Sequence, residues 1–227
     1  VIIPAYNSAK TIVKTIEAIK EQIGLSEQPE IIVVDDGSKD ETLEVLNKFK
    51  NITVIAQNNS GPATARNAGA KIAKGDILVF TDSDTVPHNN WLKELTAPFG
   101  NSEIKASTGT YSIANPKSRL AQLIQSEIEF KHSKYGEFVL FGGSYNLAIR
   151  KSLFNEIGGF NEEYKSASGE DNDICYKILN KGYKIKFVKE AIVGHYHPEN
   201  IVKYLKTQMK HGYWRAKLYF DHLNKVS

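Results

Sequence analysis

The sequence predicts an α/β domain whose first half is a doubly wound unit on a mostly parallel central sheet. Three observations carry this. Residues 31–34 and 77–80 are short, unbroken apolar runs, as strands buried on both faces are. Between such runs lie stretches with apolar residues three and four apart, the spacing of a core-facing helix. Each run also ends in a cluster of polar residues. In open α/β sheets ligands bind beyond the carboxyl ends of the strands, so those clusters are where chemistry is expected.

Val1-Ile2-Ile3-Pro4 ends a first strand, and Pro4 stops its ladder. Ala5-Tyr6-Asn7-Ser8 is then a loop, with Tyr6 either stacked on a nucleotide base or packed on the loop itself. Ile12, Ile16, Ile19 and Ile23 predict a helix with one core-facing stripe, stopped by Gly24. This unit contains neither of the two common glycine-rich phosphate cradles. Residues 31–34 form a second strand ending at Asp35-Asp36-Gly37-Ser38. Ser38 and Glu41 have capping-box spacing for a helix bearing Leu43, Leu46 and Phe49. One aspartate serves the turn, and the other is left to accept a hydrogen bond from a ligand N–H. Residues 52–55 read as a third strand and Asn58-Asn59-Ser60-Gly61-Pro62 as a turn. Pro62 opens a helix whose Ala63, Ala65, Ala68 and Ala70 let it lie close on a sheet. Arg66 places a fixed cation near its start, for a phosphate or for one of the aspartates. Gly75 closes that helix. Residues 77–80 then lead into Asp82-Ser83-Asp84, where two carboxylates near one strand end call for a divalent cation or hydrogen-bond donors.

The second half mixes shorter pieces. After a Val86-Pro87 break come a helix over 91–99, a strand over 106–111, and a helix over 118–134 with Leu120, Leu123, Ile124, Ile128 and Phe130. Residues 139–149 read as strand, glycine break at Gly142-Gly143-Ser144, strand; glycines there mark a bulge or the close approach of a ligand. A short helix over 152–157 ends at Gly158-Gly159-Phe160. Ser168-Gly169-Glu170-Asp171-Asn172-Asp173 opens another helix. One acid at a helix start is ordinary capping, but three in four residues repel one another and suit a carboxylate held out toward a pocket. Two short strands, 185–188 and 191–193, lead to Gly194-His195-Tyr196-His197, a second source of metal-ligating side chains. From residue 201 on, Lys203, Lys206, Lys210 and Lys217 share one side of a helix, opposite Ile201, Leu205, Met209, Ala216, Tyr219 and Leu223. This basic amphipathic helix either packs on the domain with solvated lysines or meets a membrane surface.

At 227 residues, 41% of them apolar and 24% charged, the chain has an ordinary globular composition. A net charge of +3 gives no case for nucleic acid. The single cysteine, Cys175, has neither a disulfide partner nor metal-site companions, which points to a reducing compartment. No apolar run is long enough to span a bilayer, and no signal peptide is recognisable. The expected location is cytoplasmic, including the cytoplasmic face of a membrane. Because the chain starts inside a strand, it reads as a piece of a longer protein.

Six short stretches, in this order, resemble the inverting glycosyltransferases of family 2, which have the GT-A fold: Pro4-Ala5-Tyr6-Asn7, Asp35-Asp36-Gly37-Ser38, Ala65-Arg66-Asn67-Ala68-Gly69, Asp82-Ser83-Asp84, Gly158-Gly159-Phe160-Asn161-Glu162 and Glu170-Asp171 before a helix. The resemblance implies one GT-A domain over residues 1–200, with a Rossmann-like nucleotide-binding half (1–84) fused to an acceptor half (85–200). Residues 201–227 follow as the basic helical segment. It implies a donor site of Pro4, Ala5, Tyr6, Asn7, Asp36, Gly61, Arg66, Asp82, Ser83 and Asp84 for a nucleotide sugar, most simply a UDP-sugar. Tyr6 and Asp36 would hold the base, and Asp82 would face the ribose. Asp84, with His195 in preference to His197, would bind Mn²⁺ or Mg²⁺ on the diphosphate. Asp171 would be the catalytic base, and Gly143, Ser144, Glu170 and Trp214 would face a glycan or lipid-linked acceptor. Two other readings remain beside it: a sugar nucleotidyltransferase, and a non-catalytic nucleotide-sugar-binding or membrane-recruitment module.

Overall fold

Strands form where the sequence places its unbroken apolar runs, and a single sheet joins them. The computed structural model describes residues 1–165 and 169–221. Ser168, Leu223 and the side chains of Lys203, Lys210, Lys217 and Tyr219, which entered the sequence reading, lie outside the described residues. The strands are β1 (Ile2–Ala5), β2 (Ile32–Asp35), β3 (Thr53–Ala56), β4 (Ile77–Phe80), β5 (Thr85–Pro87), β6 (Ala106–Ile113), β7 (Phe138–Val139), β8 (Leu147–Arg150) and β9 (Ile185–His195). The helices are α1 (Ile12–Lys20), α2 (Thr42–Leu46), α3 (Pro62–Ile72), α4 (Trp91–Thr96), α5 (Arg119–His132), α6 (Lys151–Glu156), α7 (Glu170–Asn180) and α8 (Ile201–Asp221).

The sheet runs β3-β2-β1-β4-β8-β6-β9-β5, with β7 also paired to β9. β3, β2, β1 and β4 are mutually parallel, as the βα alternation predicts. β8 enters antiparallel beside β4 and joins the two halves into one sheet. This register brings the site together. Leu147 at the start of β8 lies opposite Phe80 at the end of β4, and Thr85 of β5 lies opposite His195 at the end of β9. The loops after β1, β2 and β4, the turn before β8 and the end of β9 therefore share one edge.

Alternate strand residues feed opposite layers. Ile2, Val34, Leu78 and Ile149 pack with α3, α6 and α7, whereas Ile3, Val33, Val79 and Ala148 pack with α1 and α4. Helix α3 lies close on the sheet, as its small residues predict. A Cβ on Gly69 would stand 2.6 Å from a methyl of Ile2.

Several expectations change. Helix α1 ends at Lys20, and Ile23 is exposed because the chain has already turned to donate its N–H to Asn89 O. The capping box does not form. Ser38 Oγ instead accepts from Asn7 N–H across the two loops, and the Thr42 N–H is taken by Asp40. The Val86-Pro87 break is strand β5. The two expected final strands are one, β9, with a register shift opposite the segment from Thr108 to Thr110. Gly109 lies in that segment, where a Cβ would be 2.1 Å from Ala191 O and 2.3 Å from Asn146 Nδ2. On α5 the core face is Ala121 and Gln125, and the apolar Leu123 and Phe130 are exposed. Among the described residues no helix is long and apolar enough to cross a membrane.

Candidate active site

The turn after β4 is pinned from four sides. Thr15 of α1 donates to Ser83 O and Thr85 O, Thr85 Oγ1 donates to Asp82 O, Ser8 and Ser83 share a 2.7 Å hydroxyl contact, and Thr81 Oγ1 donates to Tyr145 O. This scaffold sends the two aspartates to different partners. Asp82 Oδ1 accepts from Arg66 at 2.8 Å, whereas Asp84 Oδ1 stands 3.9 Å from His195 Nε2. The carboxylates thus do not share one counter-charge, as their proximity in sequence had suggested.

Arg66 is buried and bifunctional. Its other terminal nitrogen donates to Glu170 Oε1 at 3.2 Å, and its guanidinium lies 5.4 Å over the Phe160 ring. Burial opposes its charge, but Asp82, Asp171 and Glu170 together push its pKa above the ordinary arginine value. Glu170 is therefore a buried strut for Arg66 and does not face an acceptor cleft as expected. The acidic cluster at the start of α7 is sorted by this packing. Glu170 is paired with Arg66 and Asp173 with Lys177 at 3.0 Å, and Asp171 forms no ion pair among the described residues. Burial raises the Asp171 carboxyl above its usual range, against the pull of Arg66 and hydrogen bonding from Ser144. Its Oδ1 is buried without a hydrogen-bond partner among the described residues. A carboxylate with raised basicity and one oxygen without a partner among the described residues fits a general base.

Asp36 corrects a second expectation. It is not left free for a ligand: Oδ1 accepts from Gln57 Nε2 and Ser60 N–H, and Oδ2 from Gly61 N–H. Three of its roughly four lone-pair positions are used to shape the turn before α3. Gly61 has φ +97°, and a Cβ there would meet Lys165 O at 2.7 Å, so the turn and the 165 segment touch through a glycine.

All ten residues expected at the donor site line one cleft of about 1060 Å³. Tyr6 is half exposed in it, free to stack. The sequence reading missed Ser8, Thr11, Lys10, Lys39 and Lys165 in the same lining. The three lysines are isolated in loops, and no spacing pattern marks them. Asp171, His195, Gly143, Ser144 and Trp214 lie outside that lining. Gly143 is explained by packing, because a Cβ would collide with the Tyr145 ring at 1.9 Å. Trp214 docks α8 against Tyr164, ring centroids 5.4 Å apart, just ahead of α7.

Asp84 and His195 fit a divalent cation. They offer one hard oxygen and one imidazole nitrogen, donors suited to Mn²⁺. Among the described residues no group of three ligating side chains converges, so an ion here would need nucleotide phosphates and water to complete its shell. His197 is a poorer candidate. Its Nε2 is 2.9 Å from Gln125 Oε1 and is occupied by that contact.

A model of glycosyl transferase family 2 matches residues 1–158. The chain belongs to glycosyl transferase family 2. A second model, the N-terminal domain of galactosyltransferase, matches residues 124–200. Among curated relatives, the O-antigen chain rhamnosyltransferase RfbN of Salmonella typhimurium is 28% identical over 93% of this chain and 71% of its own length. Glycosyltransferase AglE of Haloferax volcanii is 27% identical over 86% and 66%. The chain spans between 48% and 71% of the first such relatives. Solved GT-A structures share the fold. Residues 1–349 of S. aureus TarS with UDP align at TM-score 0.64 and 24% identity, over 86% of this chain and 59% of that one. GalNAc-T7 with UDP, GalNAc and Mn²⁺ aligns at 0.71 and 21%, over 86% and 43%. The family 2 assignment therefore rests on residues 1–158, and the GT-A fold on alignments over 86% of the chain.

Proposed function

We propose that this domain is an inverting, metal-dependent glycosyltransferase that moves a sugar from a nucleotide-diphosphate sugar, first of all a UDP-sugar, to an acceptor hydroxyl in glycan or cell-surface polysaccharide synthesis. The observation that carries this reading is the division of labour among the acids. Asp84 faces His195 at a half-formed cation site on the donor cleft, Asp82 is neutralised by Arg66, and burial raises the basicity of Asp171. A bound Mn²⁺ or Mg²⁺ would neutralise charge on the departing diphosphate. The chain's own residues supply the rest. Asp84 and His195 hold the cation half-site, Arg66 keeps Asp82 from repelling the phosphates, and Lys10, Lys39 and Lys165 add positive charge around the cleft. Asp171 accepts the acceptor's hydroxyl proton as the new bond to the anomeric carbon forms. With Asp171 acting as a base, the transfer is a single displacement, which inverts that carbon.

The names of RfbN and TarS, a rhamnosyltransferase and a poly(ribitol-phosphate) N-acetylglucosaminyltransferase, support a cell-surface acceptor. A nucleotidyltransferase would be expected to carry a glycine-rich basic loop after β1, where this chain has Tyr6-Asn7-Ser8. A pure binding module has no use for the isolated Asp171. The test is thermal: UDP with Mn²⁺ should raise the melting temperature of the parent and leave Asp84→Ala unmoved, because the diphosphate loses its bridging ion. Equal gains in both would remove Asp84 from the site.

A membrane-surface partner at the cytoplasmic face is part of the same proposal. Ile201, Leu205, Met209 and Tyr213 form an i, i+4 stripe on α8, and all are exposed, while Trp214 faces the domain. That arrangement favours the membrane alternative over a helix whose apolar side packs on the domain. Each of the four lysines at 203, 206, 210 and 217 adds roughly 1 kcal/mol near an anionic bilayer. The domain should float with anionic vesicles at low salt, and changing the four lysines to Gln should abolish this. Unchanged flotation of that variant would exclude the lysines.

A further inference from the structure

Tyr145 stands where the parts of the proposed site meet. It is the middle residue of the 3₁₀ turn Ser144–Asn146 that opens β8. The turn is locked by Asn146, whose side chain accepts from Trp91 Nε1 and donates to Thr110 O and Ala191 O. The preceding residue, Ser144, hydrogen-bonds Asp171. The carbonyl of Tyr145 accepts from Thr81, next to Asp82. Its ring is seated in the space left by Gly143, where any Cβ would overlap it.

The ring stacks on Tyr111, centroids 3.7 Å apart and planes 12° from parallel. Tyr111 in turn meets the His195 ring edge-on at 5.2 Å. The two phenol hydroxyls are hydrogen-bonded to each other, and the Tyr145 hydroxyl lies within electrostatic reach of both Asp171 and Asp82. A phenol has an ordinary pKa of about 10 and keeps its proton at neutral pH. Near two carboxylates that accept when ionised, it adds a donor to those of Arg66 and Ser144.

We infer that Tyr145, braced by Tyr111, is the acceptor-recognition residue of this site, donating a hydrogen bond to a hydroxyl that neighbours the reacting one on a saccharide acceptor. The inference rests on the transferase reading and narrows its acceptor to sugars with adjacent hydroxyls. In the transfer, the acceptor oxygen bonds to the anomeric carbon and its proton goes to Asp171. The bond from that carbon to the diphosphate breaks with its electron pair on the leaving oxygen. Tyr145 keeps its proton throughout and sets which oxygen is presented. A site built to hydrogen-bond a hydroxyl discriminates strongly, because removing one partner leaves the other unpaired.

Tyr145→Phe and Tyr111→Phe keep the stacked rings and remove one oxygen each. Three readouts on parent and variants separate the possibilities: the melting shift with UDP and Mn²⁺, hydrolysis of UDP- and GDP-sugars with water as acceptor, and transfer to a panel of methyl glycosides. In Tyr145→Phe, glycoside transfer should fall at least about tenfold. The UDP shift and hydrolysis should stay within about twofold, and Tyr111→Phe should show the same split at smaller size. Equal loss of hydrolysis and transfer, unchanged transfer, or a parent that transfers to no glycoside while hydrolysing the donor would each overturn the inference. A parent that neither hydrolyses any donor nor responds to UDP would instead sink the transferase reading.

Discussion

Replacing Arg66 with leucine should destabilise the domain by about 3–5 kcal/mol, the range for removing one partner of a buried ion pair. Arg66 is 3% exposed and Glu170 2%, so the variant strands the Glu170 carboxylate in the core, and Asp82 loses its counter-charge at the cleft. For a domain of this size each kcal/mol moves the melting temperature by roughly 2–4 °C, so the drop should be about 10 °C. UDP binding should weaken as well, since an uncompensated Asp82 repels phosphate. The double variant Arg66→Leu with Glu170→Leu should regain much of the stability, because burying two apolar groups avoids the desolvation cost of an ion pair. It should not regain UDP binding. A loss below about 1 kcal/mol in the single variant would mean that the pair is not buried in solution.

Replacing Asp171 with asparagine should cut turnover on the order of a hundredfold or more, with donor affinity nearly unchanged. Asparagine keeps the shape and removes the base. The same change should raise stability at neutral pH. Burial holds the folded carboxyl above its unfolded pKa, so the native state binds the proton more tightly than the unfolded chain. The charged form then costs stability above that pKa, and stability increases as pH falls through it. Removing the charge removes the cost and that pH dependence. For the parent, activity should fall as pH drops through the raised pKa, giving an acid limb above the ordinary carboxylate range. Near-normal turnover in Asp171→Asn would transfer the role to another acid.

What could be read from the sequence follows the range of the interactions involved. The parallel strands were legible because unbroken apolar runs need no partner to be recognised, and the residues at their ends fall in the cleft wherever the sheet has this order. Roles set by distant partners were not legible. Glu170 meets Arg66 from 104 positions away, and Thr15 pins a turn 68 to 70 positions on. Asp36 is filled by Ser60 and Gly61, which no local pattern announces. Tyr145 carries no local mark in the sequence, because the glycines beside it point to a bulge or a ligand. Gly143 in fact leaves space for that very ring.

The central claim is single displacement on a nucleotide sugar with Asp171 as base, and the stereochemistry of the product tests it most directly. Proton NMR on fresh reaction mixtures of the domain with Mn²⁺ and α-linked UDP- or GDP-sugars reads the anomer formed, before mutarotation. The account predicts a β product, absent in Asp171→Asn. An α product, or a β product formed equally well without Asp171, would contradict it.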